Sequence, residues 1–212
     1  MMADNNEEIH SFGWDAITKA FEKVYPQQTN PKHYGSLISW RLGGDNPFDG
    51  ISIYETDEYY HFVTYGLSEL YEKETDDPEW SGYEMEFTMK LKKSCVDPAE
   101  EEGELKCVCN NFSMIAKITF EHGELFRTNE YIYTGQTAGI DLHRSSALTG
   151  FILVADTSVP PIDTPNGRVE FVEFVGCTDA ELRKLYDREL TVNELYGKLG
   201  SDITDYKRKS IF

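Results

Sequence analysis

The sequence predicts one α+β domain, and three observations carry that prediction. Residues 83–91 alternate strictly, with Tyr83, Met85, Phe87, Met89 and Leu91 on one side and Glu84, Glu86, Thr88 and Lys90 on the other. That is the period of a half-buried strand. Residues 99–121 instead place Leu105, Val108, Phe112, Ile115 and Thr119 at helical spacing. Near the end, Thr178 and Thr191 are each followed three residues later by a glutamate, Glu181 and Glu194. A threonine that caps a helix and a glutamate that reaches back to it form a capping box.

The remaining elements follow in chain order. Residues 11–24 read as an amphipathic helix with Trp14, Ile17, Phe21 and Val24 on one face, ended at Tyr25-Pro26 because proline disfavours helical geometry before it. Asn30-Pro31 and Gly43-Gly44-Asp45-Asn46-Pro47 are loop signals around a short apolar stretch, 37–42. Residues 51–54 and 59–65 are β-rich runs around the turn Glu55-Thr56-Asp57-Glu58, so they are expected to pair as a hairpin. Residues 73–81 form a polar loop. Pro98 and the acids after it suit the start of the long helix, in which Gly103 is a weak point. Residues 127–135 hold a short strand, Tyr131-Ile132-Tyr133. Residues 151–155 and 169–175 are further strands joined by a proline-rich loop, and helices run from Thr178 to about Arg188 and over 191–199. With no internal repeat and no long linker, residues 1–10 read as a tail and 11–212 as one domain.

Composition limits the function classes. The 212 residues are 40% hydrophobic and 13% aromatic, enough for a sizeable core. A chain of this size hides roughly 70% of its unfolded surface on folding. Acidic residues number 38 against 20 basic ones, a formal net charge of −18. Such a surface repels phosphate backbones and anionic lipid, so nucleic acid and membranes are not expected partners, whereas a basic protein would be steered toward it. No apolar run reaches the roughly 20 residues of a membrane span, and the first ten residues lack a signal-peptide pattern. The expected location is therefore the cytoplasm. Cys95, Cys107, Cys109 and Cys177 should then be reduced thiols with structural roles, since Cys107-x-Cys109 lacks the spacing of a zinc site.

A search for catalytic constellations returns little. The nucleophile elbow, the phosphate-binding loop and the dinucleotide fingerprint are all missing from the sequence. His10, His33, His61, His122 and His143 are scattered, with no metal-binding pair. His61 lies among aromatic residues in a strand and reads as a hydrogen-bonded core or edge histidine, with a general base as the competing role. Asp45 and Asp49 could hold a cation, but turn capping is the simpler account of them. Asp76-Asp77-Pro78-Glu79 reads as a solvated acidic loop. The chain is not expected to be an enzyme or to need a cofactor or metal.

Several blocks resemble the suppressor of fused family. Tyr25-Pro26-x-Gln28-x-Asn30-Pro31, Trp40-x-Leu42-Gly43-Gly44-x-x-Pro47-x-Asp49 and Ser52-x-Tyr54 are similar to the opening of its domain. His61-Phe62-Val63-Thr64-Tyr65-Gly66-Leu67-Ser68-Glu69-Leu70-Tyr71 is the most specific match, followed by the block from Gly82 through Lys92. Thr164-Pro165-x-Gly167-x-Val169-x-Phe171, then Val175-Gly176-Cys177-Thr178-x-x-Glu181-Leu182, and finally Ile203-Thr204-Asp205 with Ile211-Phe212, continue the resemblance. It implies a mixed, mostly antiparallel sheet flanked by helices, acting as a non-catalytic binder. The family's animal member restrains Hedgehog signalling and grips Gli-type transcription factors through a peptide that adds as a strand between two domains, a recognised mode of capture. This sequence stops where the family's first domain stops, so the second jaw is not expected. It also carries Gly135-Gln136-Thr137 where the family has a Gly-Asp-His turn.

The resemblance places partner binding at Tyr131, Ile132, Tyr133 and Gln136, with both tyrosines either forming an aromatic contact surface or packing into the domain's own core. Bacterial single-domain relatives imply an immunity-type inhibitor that neutralises a toxin. A regulatory scaffold capturing a short peptide, and a hydrolase using His61 with nearby acids, are the other readings.

Overall fold

The computed structural model describes residues 10–38 and 40–212. Its elements in chain order are α1 (Phe12–Val24), β1 (Lys32–Gly35), β2 (Gly50–Glu55), β3 (Tyr59–Tyr65), β4 (Trp80–Lys92), α2 (Glu101–His122), β5 (Tyr131–Ile132), β6 (Leu148–Ala155), β7 (Ile162–Thr164), β8 (Gly167–Thr178), α3 (Asp179–Tyr186), α4 (Val192–Leu199) and β9 (Ile203–Thr204). One nine-stranded sheet runs in the order β1-β2-β3-β4-β8-β6-β5, with β7 on β8 and β9 on β4. Only β4–β8 and β4–β9 are parallel among these pairings, so the sheet is mixed and mostly antiparallel, as expected.

Local chemistry explains most element boundaries. The hairpin of β2 and β3 turns on Thr56, whose hydroxyl accepts from the Glu58 and Tyr59 amides while its own N–H donates to the Tyr59 carbonyl. Both capping boxes form: Thr178 with Glu181 starts α3, and Thr191 with Glu194 starts α4. Gly103 leaves α2 unbroken; a Cβ there would sit 3.0 Å from Leu142 Cδ2, so the small residue admits the 142 loop. The apolar residues Leu37, Ile38 and Leu42 are exposed rather than core, next to a short 3-10 turn at Trp40–Leu42. The polar loop 73–81 gives way to β4 at Trp80, and the proline-rich loop contains β7, which pairs with β8.

The largest departure from the sequence reading concerns β4. Its apolar face packs, as expected, under α2, where Phe62, Phe87, Met89, Leu91, Leu105, Val108, Phe112, Phe151, Leu153 and Phe174 form one cluster. The opposite face was expected to meet water, yet Glu86, Thr88 and Lys90 are all buried. Alternation shows that two faces differ in chemistry, not that one is uncovered. Here β4 lies mid-sheet and the second face is covered too. The α1 residues Ile17 and Phe21 pack on Tyr54, Val63, Tyr65 and Phe171 at one end. Leu182, Leu185 and Leu195 from α3 and α4 pack on Ile152, Val154 and Val175 at the other. Between those apolar patches the sheet carries a buried polar stripe.

β5 holds to β6 by a close fit. A methyl built on Gly150 would lie 2.3 Å from the Ile132 carbonyl oxygen and 2.8 Å from Leu182 Cδ1. Gly150→Ala is therefore expected to push β5 off the sheet, at a cost of about 1–3 kcal/mol for a steric insertion. Hydrogen exchange at the Leu153 amide, which donates to the Glu130 carbonyl, reports this directly. Unchanged protection there would show that β5 is not held by this contact.

Candidate functional site

β5 is the last strand of the sheet, so among the described residues its outer side faces no other strand. Leu153 N–H donates to the Glu130 carbonyl at 2.9 Å. In an antiparallel pair the bonded residues alternate, so Ile132 also faces β6 and the peptide groups of Tyr131 point outward. The register agrees, with Tyr131 opposite Ile152 and Ile132 opposite Phe151. An outward row of unpaired amides and carbonyls is a template for another strand.

The sequence-chosen residues meet here but do different things. Tyr131 is 37% exposed at the edge. Ile132 turns toward α2 and packs against the main core. Tyr133 is half-buried on α3: its hydroxyl donates to Asp179 Oδ1 at 2.9 Å, and its ring meets Tyr186 edge-on at 5.9 Å. Gln136 is exposed, donating to the Ala138 carbonyl at 3.2 Å just after Gly135, whose φ is +69°. The two tyrosines therefore do not form one flat patch, because α3 occupies the side that Tyr133 faces.

Sequence reasoning missed the α2 side of this edge. Met114 and Ile118 are exposed on α2, one turn apart and off the buried stripe of that helix. With Ile115, Ile132, Phe151 and Thr149 they line a cavity of about 220 Å³ beside β5. The available signal was an apolar pair at i and i+4 out of register with Leu105, Val108 and Phe112.

The second candidate is the buried polar stripe. His61 accepts or donates at both ring nitrogens: Nδ1 lies 2.6 Å from the Tyr25 hydroxyl and Nε2 lies 2.7 Å from Asp156 Oδ2. Lys90 Nζ donates to both Glu173 oxygens at 3.0 and 2.9 Å, to Asp202 Oδ2 at 2.8 Å and to Thr157 Oγ1 at 3.2 Å. Asp156 Oδ1 stands 3.5 Å from the same ammonium. Burial opposes the charge on Lys90, but Glu173 and Asp156 outweigh it and raise its pKa. Burial and the neighbouring Asp156 push the Glu173 carboxyl well above its usual range. Burial would also raise Asp156, but the hydrogen bond from His61 and the charge of Lys90 hold it low. Burial lowers His61 against the pull of Asp156, which favours the neutral ring with its proton on Nε2.

This cluster joins six distant chain segments, and its geometry suits cohesion better than turnover. The His61 side chain is fully buried with both nitrogens engaged, so it cannot reach a proton on a substrate arriving from solvent. Asn46 Oδ1, between Asp45 and Asp49, accepts from the Phe48 amide at 3.2 Å and so caps this turn. Among the described residues no group of three or more His, Cys, Asp or Glu side chains is arranged to hold a metal, and Cys95, Cys107, Cys109 and Cys177 are free thiols. Among the same residues no helix is long and apolar enough to cross a membrane.

The family model described as Suppressor of fused protein (SUFU) matches residues 44–209. The human Suppressor of fused homolog is 26% identical over 185 residues, which cover 80% of this chain and 36% of the relative. The mouse homolog gives the same identity and coverage. The chain thus spans about a third of the length of these curated relatives. A chain in the crystal structure of the Sufu-Fu complex superposes with a TM-score of 0.83 at 23% identity, covering 96% of this chain and 94% of that one. Drosophila Suppressor of Fused gives 0.81 at 23% identity, over 95% of this chain and 52% of that one. At such identity the two structures establish the fold.

Proposed function

The chain belongs to the suppressor of fused family, and from that membership we propose that it is a protein-binding regulatory module that captures an extended peptide along the outer edge of β5. The observation that carries this reading is the open edge itself, with the Tyr131 peptide groups turned outward and its ring exposed. Strand addition uses those main-chain groups for affinity and the flanking side chains for selectivity. The fold match to Sufu in its complex with Fu supports a protein partner. A narrower second reading, an immunity-type inhibitor of a basic toxin, draws on the net charge of −18, which would steer a cationic partner to the surface.

Tyr131→Pro tests the edge. Proline removes one outward amide, and edge strands tolerate it when that amide faces solvent. Peptides selected on the protein from a phage-displayed random library are expected to bind the variant about tenfold or more weakly. Tyr131→Ala should weaken them by on the order of 2 kcal/mol, the scale of an aromatic hot spot, with the melting temperature nearly unmoved. Normal binding by both variants, or failure of any peptide to enrich, would remove the edge from consideration.

A further inference from the structure

We infer that the cleft between the 3-10 turn at Trp40, the start of β4 and the end of α2 binds an organic cation, a fully alkylated ammonium group. This site is separate from the β5 edge and does not depend on it.

Three observations point to that ligand. The first is an aromatic wall drawn from three distant segments. Trp40, Tyr83 and Phe120 line a cavity of about 380 Å³. Phe120 meets both of the others, its ring centroid 5.4 Å from Trp40 at 56° and 5.1 Å from Tyr83 at 63°. All three residues are half-buried, so part of each ring stays open. Inclined rings around one space suit a quaternary ammonium, because the negative face of each ring attracts the cation.

The second observation is charge. Among the described residues the charged side chains of the lining are Glu69 and Glu74, both acidic. A cleft lined by one sign of charge between apolar walls focuses its field on the space inside.

The third observation separates a quaternary ammonium from a primary amine. Glu69 is 3% exposed, and its Oε1 accepts from the Glu74 and Thr75 amides at 2.6 Å each. Its Oε2 is covered and accepts no hydrogen bond among the described residues. The Lys73 ammonium stands 3.4 Å from Oε2 but donates to the Trp80 and Asn166 carbonyls and is not part of the lining. It balances one of the two carboxylates and leaves the cleft negative. Burial would raise the Glu69 carboxyl, but the Thr75 and Glu74 amides and Lys73 hold it below its usual range, so it stays ionised at neutral pH. A covered carboxylate acts through its charge rather than as a direct acceptor. A cation without an N–H loses nothing by that, whereas a primary amine would give up its hydrogen bonds to water.

Titration with choline, followed by NMR and calorimetry, tests the site. Choline is expected to shift the Trp40 indole and the amides from Gly66 to Glu69. Its uncharged isostere 3,3-dimethylbutanol and the primary amine ethanolamine should each bind at least tenfold more weakly. Trp40→Ala should lose at least tenfold with the melting temperature nearly unmoved, and Trp40→Phe should recover part of the loss. Glu69→Gln keeps an acceptor for the two amides, so it should weaken choline severalfold and flatten the dependence on salt. N-acetyl-trimethyllysine methylamide distinguishes the sources: tighter binding than choline assigns the group to a modified side chain of a protein, weaker binding to a free small molecule. Equal binding of dimethylbutanol would overturn the cation, and equal binding of ethanolamine the full alkylation. No response to choline, or normal affinity in Trp40→Ala, would overturn the site.

Discussion

Replacing Lys90 by Met is expected to cost about 3–5 kcal/mol, the penalty for stripping one partner from a buried ion pair. Methionine keeps most of the stem volume, so packing changes little. The ammonium, however, is the one cation among the described residues that faces Glu173, Asp156 and Asp202, and its side chain is only 2% exposed. Without it three carboxyls converge from β8, the loop after β6 and the segment before β9. A domain of ordinary stability, about 5–15 kcal/mol, would lose a large share of it. Denaturant melts measure the loss, and a change under about 1 kcal/mol would show that Lys90 is not the tie.

The pH dependence separates charge from shape in the same variant. With Lys90 gone, Glu173, already high, rises further, and Asp156 and Asp202 lose the ammonium that helps hold them low, so the carboxyls move up relative to unfolded values near 4. A folded state with raised carboxyl pKa values binds protons before the unfolded state does, so its stability increases as pH falls from 7 toward those values. The gap between the Lys90→Met variant and the wild type should therefore narrow on mild acidification. The double variant Lys90→Met with Glu173→Gln should recover part of the loss at pH 7. A gap that stays constant with pH would point to volume instead.

That cluster also shows where sequence reasoning stops. Its members sit at 25, 61, 90, 156, 173 and 202, with no spacing that a motif search would register. Lys90 looked like one residue of a solvated strand face, because the pattern along β4 carries the period and not the cover. Local signals fared better: the Thr178 and Thr191 boxes, the Thr56 hairpin and the long α2 depend on residues three or four apart, and all form where expected. The very short strands β7 and β9 pair through tertiary context and left no periodic trace. At the candidate site, Tyr131-Ile132-Tyr133 drew attention through resemblance. The division of labour between an exposed Tyr131 and a Tyr133 docked on α3 needed the position of that helix, and Met114 and Ile118 needed the cavity.

Phe87→Ala is expected to cost about 3–5 kcal/mol, since deleting a buried aromatic side chain loses transfer free energy and leaves a cavity that the surroundings fill only partly. Phe87 is fully buried at the centre of β4. Its ring centroid lies 4.7 Å from that of Phe174, 5.8 Å from Phe112, 5.9 Å from Phe126 and 6.1 Å from Phe48. Those rings come from β8, α2, the segment after α2 and the loop before β2, so the site can collapse only if several elements move together. Tilted and edge-on pairs add about 0.5–1.5 kcal/mol each beyond area, which places the loss toward the upper end. Phe87→Leu, closer in volume, should cost markedly less, and the difference between the two variants reports the cavity rather than the strand. Phe112 is one of several α2 residues packed on the sheet, and α2 also carries Met114 and Ile118 beside the cavity next to β5. A loosened α2 should therefore lose amide protection even where Phe87→Ala remains folded. A loss under about 1 kcal/mol in denaturant melts, or unchanged α2 protection, would mean that this ring does not organise the helix face.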